Sequence, residues 1–426
     1  MPVIKVFEHE KLTIHSDDLG RSITTAQFEK LCQFNDKNNN KYFTVIRNGI
    51  KFSQYVGVIR IGNLTIEILP KADKQIARNK LELESTSKTW QSVLLKMLAI
   101  SGELELETVS EASLRKRTNL LDLYFEIYLT ELDKLLRRGL TKKYRSNSAN
   151  VKALKGRLEF AGHIRQNLVH QERFHTTHQH YDHEHLLNQI LLRGLQILST
   201  ITNGTHLQDK IRKLQFYFPE IRQQTITSAS FDKVRLTRKT RDHVKALRIA
   251  KMLILNYSPD ISKGDENMLA LLFDMNKLWE KYIYKKLKAK ENENLHVIYQ
   301  AHDLFWESKR IFPDIVIERK QTIKNIEGNT EDIWEPYIID TKWKLIDVNK
   351  PSDDDLKQMY VYNMYWDSPK CLLLYPQFGD STDSGFGKFH KGRSGSNQCK
   401  IGFVNVLDDE GKLNPLIADE ALKKIV

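Results

Sequence analysis

Two charged residues stand inside a run that otherwise calls for burial. Residues 337–344 read Tyr337-Ile338-Ile339-Asp340-Thr341-Lys342-Trp343-Lys344. Side chains alternate faces along an extended strand, so Asp340 and Lys342 fall on the same side, one repeat apart. Charges entering such a run are costly unless they are paired or bound to metal. A second strand-like run, 311–317, carries Asp314 directly after Pro313, whose ring fixes its own φ and biases Phe312 to extended geometry. Two carboxylates from neighbouring strands suit a hard cation such as Mg2+. An amine beside them can orient or deprotonate a water. From the triplet alone, an internal Asp–Lys ion pair at a strand end is the alternative. The chain also contains Glu307-Ser308-Lys309, Glu318-Arg319-Lys320 and Glu410-Gly411-Lys412, none of them inside an apolar strand.

Helices are expected on either side. Asp353-Asp354-Asp355 follow Pro351-Ser352 and make a good helix start, because acidic side chains complement the macrodipole and cap free amides. Gln358 and Tyr362 then lie four apart on one face of that helix. Upstream, 274–283 reads as helical, with Glu280 close to an apolar face of Leu272, Trp279 and Ile283. The order is helix with Glu, strand with Asp, strand with Asp-x-Lys, helix with Gln-x-x-x-Tyr.

At 426 residues the chain is expected to form two or three domains. The boundaries are placed at 1–86, a β-rich N-terminal domain; 87–258, a mainly helical middle region; and 259–426, an α/β domain holding the acidic strands. In the first, 41–46 and 50–52 flank Asn48-Gly49, a hairpin turn signal, and 72–87 reads as a polar linker. In the second, apolar residues at helical spacing run through 93–98, 120–136 (ending at Gly139) and 186–198. Seven histidines between His163 and His185 lack nearby cysteine and read as solvated loop residues rather than a zinc site. A basic run from Lys233 to Lys251 leads into an apolar helix; it is either that helix's solvated face or a phosphate contact. The polar stretch 325–335 reads as an extended hairpin loop.

The formal charge of +12 suits a polyanionic partner. Three scattered cysteines and an N-terminus without a long apolar core point to a reduced, cytoplasmic protein. No run is long and apolar enough to span a membrane. A Gly-x-x-x-x-Gly-Lys-Ser/Thr phosphate loop is missing, so no nucleotide is expected on this chain.

The ordered acidic set resembles the PD-(D/E)xK nuclease superfamily, and its Gln-x-x-x-Tyr element is similar to the branch holding the RecB-type nucleases. More closely, the chain resembles the McrC family, the nuclease subunits of modification-dependent McrBC restriction systems. Residues 55–71, Tyr55-Val56-Gly57-Val58-Ile59-Arg60-Ile61-Gly62-Asn63-Leu64-Thr65-Ile66-Glu67-Ile68-Leu69-Pro70-Lys71, resemble the family's N-terminal signature. Lys155-Gly156-Arg157-Leu158-Glu159-Phe160 resembles its central Gly-Arg motif. The resemblance implies an α+β multidomain protein ending in an α/β PD-(D/E)xK endonuclease domain. It implies Mg2+ held by Asp314, Asp340, the carbonyl of Thr341 and Glu280. Lys342 would orient water or stabilise phosphate charge, and Gln358 and Tyr362 would position the other groups or the DNA backbone. The implied partners are a McrB-like AAA+ GTPase hexamer, docked through the N-terminal region with the 48–49 hairpin as a candidate element, and double-stranded, modified DNA. A non-catalytic adaptor of such a motor and a stand-alone repair nuclease are the competing functions.

Overall fold

The computed structural model describes residues 2–70, 80–103, 120–202, 206–258, 267–324, 330–344, 346, 351–377, 381–390 and 397–425. The chain divides into two units: Met1–Ile59, Asn63–Glu105 and Leu272–Val426 form one, Arg60–Gly62 and Leu106–Leu271 the other.

The N-terminal part supplies β1 (Val3–Phe7), β2 (Lys11–Thr13), α1 (Thr25–Lys37), β3 (Phe43–Ile46), β4 (Gly49–Phe52), β5 (Tyr55–Ile61), β6 (Leu64–Leu69) and α2 (Lys80–Ile100). β1 pairs in parallel with β6, and β2, β4 and β3 form a small antiparallel sheet. Helix α1 was not expected. Its core-facing apolar set is sparse, and its start is set by a capping box between Thr24 and Gln27. The hairpin turn is Arg47-Asn48 rather than Asn48-Gly49. Ile46 pairs with Gly49, and Asn48 takes the left-handed position at φ 59. Gly49 is needed for a different reason: a Cβ there would lie 2.5 Å from the Leu12 carbonyl oxygen. Residues 80–87, read as linker, are the first turns of α2, and Ser87 is buried; 72–79 lie outside the described residues.

The second unit holds α3 (Leu120–Arg138), β7 (Lys143–Val151), β8 (Arg157–Leu158), α4 (Phe160–Asn167), β9 (Phe174–Asp182), α5 (Leu186–Ile201), α6 (Gln208–Tyr217), α7 (Ser228–Asp232), α8 (Val244–Leu255), β10 (Tyr257–Ser258) and most of β11 (Met268–Asp274). The apolar stripes of α3, α5, α6 and α8 pack together, as their helical spacing requires. Gly194 on α5 sits under the Tyr128 ring, whose hydroxyl donates to the Leu191 carbonyl at 2.5 Å. The region is not purely helical, because β7, β9 and β8 form an antiparallel sheet. His175, His178 and His180 lie on β9 and His163 on α4, so these four are not loop residues.

The remainder of the first unit comprises α9 (Met275–Lys288), β12 (Leu295–Tyr299), β13 (Asp303–Trp306), β14 (Lys309–Ile311), β15 (Ile315–Lys324), β16 (Thr330–Thr341), α10 (Asp353–Tyr365), β17 (Lys370–Pro376), β18 (Gly387–Lys388), β19 (Gln398–Val404) and α11 (Ile417–Ile425). Six strands form one sheet in the order β12-β15-β16-β17-β19-β18. β16, β17 and β19 are parallel, and α10 is the crossover between the first two. After Lys370, β17 is apolar and buried because both of its faces are covered. Ile338, Cys371, Leu373 and Tyr375 pack with Met359 and Tyr362 of α10 on one face. Residues 330–335, expected in a loop, extend β16 antiparallel to β15; 325–329 lie outside the described residues.

Candidate active site

The run 311–317 is not one strand. β14 ends at Ile311, β15 begins at Ile315, and Phe312-Pro313-Asp314 connects them. Proline has no N–H to give a ladder, so pairing stops there. Asp314 therefore sits at the mouth of β15, its carbonyl accepting from the Gln300 amide at 3.0 Å. Asp340, next to last in β16, stands opposite Leu373 and shares the face of Ile338, the face that α10 covers. Lys342 lies just past the strand end, its backbone N–H donating to the Leu374 carbonyl at 3.0 Å.

The two aspartates are joined through Thr341. Asp314 Oδ2 accepts from the Thr341 N–H at 2.7 Å and from its hydroxyl at 3.0 Å. Asp340 is fully buried, and among the described residues its Oδ1 has no hydrogen-bond partner. Its Oδ2 lies 2.7 Å from Lys342 Nζ, an ion-pair contact that lacks hydrogen-bond alignment. Lys342 Nζ also donates to Gln358 Oε1 at 3.4 Å and lies 3.8 Å from Asp355 Oδ1. Gln358 in turn donates to the Tyr362 hydroxyl at 2.7 Å, which donates to the Phe312 carbonyl at 2.7 Å. The α10 pair thus clamps the segment that delivers Asp314. Glu280, on α9, accepts from Gln300 Nε2 at 2.9 Å, and Gln300 also holds the Asp314 backbone.

The charges report on one another. Burial raises the Asp340 pKa to about 7; the Asp314 charge adds to this and Lys342 opposes it. Burial and the Glu280 charge raise Asp314 to about 6 against the Thr341 hydrogen bonds. Glu280 is raised by burial, opposed by hydrogen bonds from Gln300 and Tyr299, with Asp340 adding to the rise. Burial works against the ammonium of Lys342, but Asp340, Asp314 and Asp355 outweigh it and its pKa is raised. The surrounding carboxylates therefore favour the ammonium form of the lysine. Of the two roles open to it in sequence, orienting a water fits this state and deprotonating one does not.

Three carboxylates in a single electrostatic neighbourhood, one with a buried oxygen lacking a donor, are a hard-oxygen set with unused acceptor capacity. That fits a divalent cation of the Mg2+ or Mn2+ type. Among the described residues, no three acidic, histidine or cysteine side chains come together closely enough to hold a metal ion by themselves, so an ion here would also need backbone or water oxygens.

Other contributors were not foreseen. Asp355, seen in sequence only as a helix start, is buried and accepts from Lys344 Nζ at 2.5 Å and from the Tyr375 hydroxyl at 3.4 Å. Its position three residues before Gln358 was the available signal. Trp343 is anchored by Glu8, whose Oε1 accepts from the indole N–H at 2.6 Å, and by Asn276 Oδ1 at 3.3 Å from its amide. No local pattern links Glu8 to a residue so far along the chain. Tyr362→Phe removes the hydroxyl from both Gln358 and the Phe312 carbonyl. It is expected to lower stability by about 1–2 kcal/mol, read as the denaturant midpoint, with turnover reduced about tenfold.

A family model described as "McrBC 5-methylcytosine restriction system component" matches residues 50–376. The chain belongs to this family. The span that makes it a McrBC component contains Glu280, Asp314, Asp340, Lys342, Gln358 and Tyr362 and closes at the end of β17. The chain is also 24% identical over 238 residues to the "Type IV methyl-directed restriction enzyme EcoKMcrBC" of Escherichia coli K12, covering 52% of this chain and 68% of that protein. In structure it is similar to a chain of the refined half-complex from the tetradecameric assembly of Thermococcus gammatolerans McrB AAA+ hexamers with bound McrC. That match has a TM-score of 0.69 at 19% identity and covers 99% of both chains. A chain of the Thermococcus gammatolerans McrBC complex matches at TM-score 0.51 and 20% identity, over 67% of this chain and 87% of that one. These likenesses show a shared mixed α/β fold. Among the described residues, no helix is long and apolar enough to cross a membrane.

Proposed function

We propose that this chain is the metal-dependent DNA endonuclease subunit of a McrBC-type restriction system, a McrC-like protein of the PD-(D/E)xK superfamily working in the cytoplasm. The observation that carries the reading is the buried Asp340 carboxylate, bridged through Thr341 to Asp314 and with the Lys342 amine 2.7 Å away. Asp314, Asp340, the Thr341 carbonyl and Glu280 would hold Mg2+. Bound there, the cation supplies electrostatic stabilisation for phosphodiester hydrolysis. Lys342 orients water and faces the negative charge that develops on the phosphate. Gln358 holds the Lys342 amine in place, and Tyr362 holds the backbone before Asp314. Asp355 shares the lysine charge and restrains its swing.

The family match and the likeness to a chain from an assembly of McrB AAA+ hexamers with bound McrC support a McrB-like GTPase as partner. Motor-driven translocation and recognition of a modified base then belong to that partner; the N-terminal region docks on its ring and stimulates its GTP hydrolysis, and this chain binds the double-stranded DNA it cuts.

The test combines this protein with the motor subunit, GTP and Mg2+ on methylated and unmethylated DNA. Double-strand cuts on the methylated DNA that vanish on omitting motor, GTP or divalent ion are expected. Cutting without the motor would establish a stand-alone nuclease instead. GTPase stimulation with no cutting of any DNA would establish an adaptor.

A further inference from the structure

The ribbon of β13 and β14 leaves the nuclease sheet just before Asp314, and residues 302–310 are all exposed. It carries apolar side chains where a free surface would carry polar ones. Leu304 and Trp306 are each 57% exposed, and Phe305 and Phe312 about half. A single exposed Leu needs no explanation, but three large apolar residues on one short ribbon, with Phe312 just past its end, do.

The ribbon is firmly mounted. Phe305, the extra residue of a β-bulge, packs on Tyr365 of α10 at a centroid distance of 5.8 Å, and the Tyr365 hydroxyl donates to the Phe305 carbonyl at 3.4 Å. Its two stems end at site residues: Gln300 on one side bonds Glu280 and the Asp314 carbonyl, and the Phe312 carbonyl on the other is held by Tyr362. Leu304 pairs with Arg310 and Trp306 with Lys309, so each outward apolar side chain has a cation across the ribbon. Lys309 Nζ lies 5.2 Å from the Trp306 ring centroid. Of the ribbon's acids, Asp303 accepts from the Leu304 amide at 2.7 Å, and Glu307 occupies the turn at φ 51.

An indole and a leucine side chain, each with a guanidinium or ammonium group opposite it, match a surface of stacked bases edged by phosphates. A two-stranded ribbon also fits a duplex groove. We propose that β13–β14 is a DNA-contacting wedge, in which Trp306 and Leu304 pack against bases next to the phosphodiester presented to Asp314 and Asp340, while Lys309 and Arg310 hold the flanking phosphates. This rests on the nuclease reading and adds to it a base-contacting element built into the catalytic scaffold.

The test uses the full-length chain with duplexes carrying 2-aminopurine at successive positions, in Ca2+, read by fluorescence and by anisotropy. Wild type is expected to change 2-aminopurine emission at one or more positions. Trp306→Ala should lose that signal and bind about 5- to 100-fold more weakly, whereas Trp306→Phe should keep most of both. Lys309→Ala with Arg310→Ala should flatten the salt dependence of binding by about two in log-log slope. Because Trp306 is exposed, the melting temperature should not move. Equal binding and emission for Trp306→Ala and wild type would overturn the wedge, as would a Trp306→Ala defect confined to motor association. A Trp306-dependent signal in a protein that never cuts DNA upholds the wedge and removes the nuclease. Cutting by wild type and Trp306→Ala alike does the reverse.

Discussion

Asp340→Asn should abolish DNA cleavage and, in the absence of divalent ions, stabilise the fold at neutral pH. The loss of activity, on the order of a thousandfold or more, follows from removing the buried anionic donor of the proposed cation site. The stability gain follows from the raised pKa. A carboxyl raised to about 7 in the folded chain favours folding below the ordinary carboxylate value and loses that contribution as pH rises through about 7. Wild type should therefore weaken relative to Asp340→Asn between about pH 4 and pH 8. The whole shift is worth at most ~4 kcal/mol, and the buried amide still needs partners, so the expected gain is about 1–3 kcal/mol at pH 8. Melting curves of both proteins across that range check the sign. Mg2+ should raise the wild-type melting temperature and leave that of Asp340→Asn unchanged, because only an ion bound by the folded state stabilises it. An Asp340→Asn advantage over wild type that fails to grow from pH 5 to pH 8, or a variant that gains from Mg2+ as wild type does, would sink the assignment.

Lys342→Ala should be as inactive as Asp340→Asn but opposite in stability. Removing the ammonium 2.7 Å from Asp340 leaves a buried carboxylate without its counter-charge. The cost should reach about 1–2 kcal/mol at pH 8 and fade toward pH 5, because the carboxyl can take up a proton instead. Cleavage should fall by about 100- to 10,000-fold, the range for losing a preorganised charge at a reacting phosphate. In wild type, activity should rise with pH through about 6 to 7 as Asp314 and Asp340 lose their protons. Lys342, with its pKa raised, adds no second rise, since it does not have to shed a proton. A second rise that disappears in Lys342→Ala would make the lysine a base and contradict the role given to it. Lys342→Arg separates charge from geometry, because a planar guanidinium cannot sit on Asp340 and Gln358 as a compact ammonium does.

Much of the site could be read from the chain because its signals are short-range. The two-residue spacing of Asp340 and Lys342 and the four-residue spacing of Gln358 and Tyr362 are periodicities of strand and helix, and both pairs meet. The strand around Asp314 was drawn too long, because an apolar flank outweighed the missing N–H of Pro313. Helix α1 escaped notice because few of its residues face the core, and its capping box lies in otherwise polar sequence. The histidines of β9 read as solvated loop, and β7, which pairs with β9, gave no signal, because both are exposed, polar strands without the apolar alternation that marks a half-buried sheet.

The sequence by itself determined which residues carry charge into apolar strands and their order along the chain, since those depend on local spacing, and its match to the family model over residues 50–376 places it in the McrBC family. Only the tertiary structure decided that Thr341 spans the two aspartates, that Asp355 and Gln300 belong to the site, and that Trp343 is pinned by Glu8. It also set three carboxylates around Lys342 that favour its ammonium form. Contacts between segments far apart in sequence leave no periodic trace, and a pKa is set by burial and neighbouring charge, which exist only once the chain has closed around them.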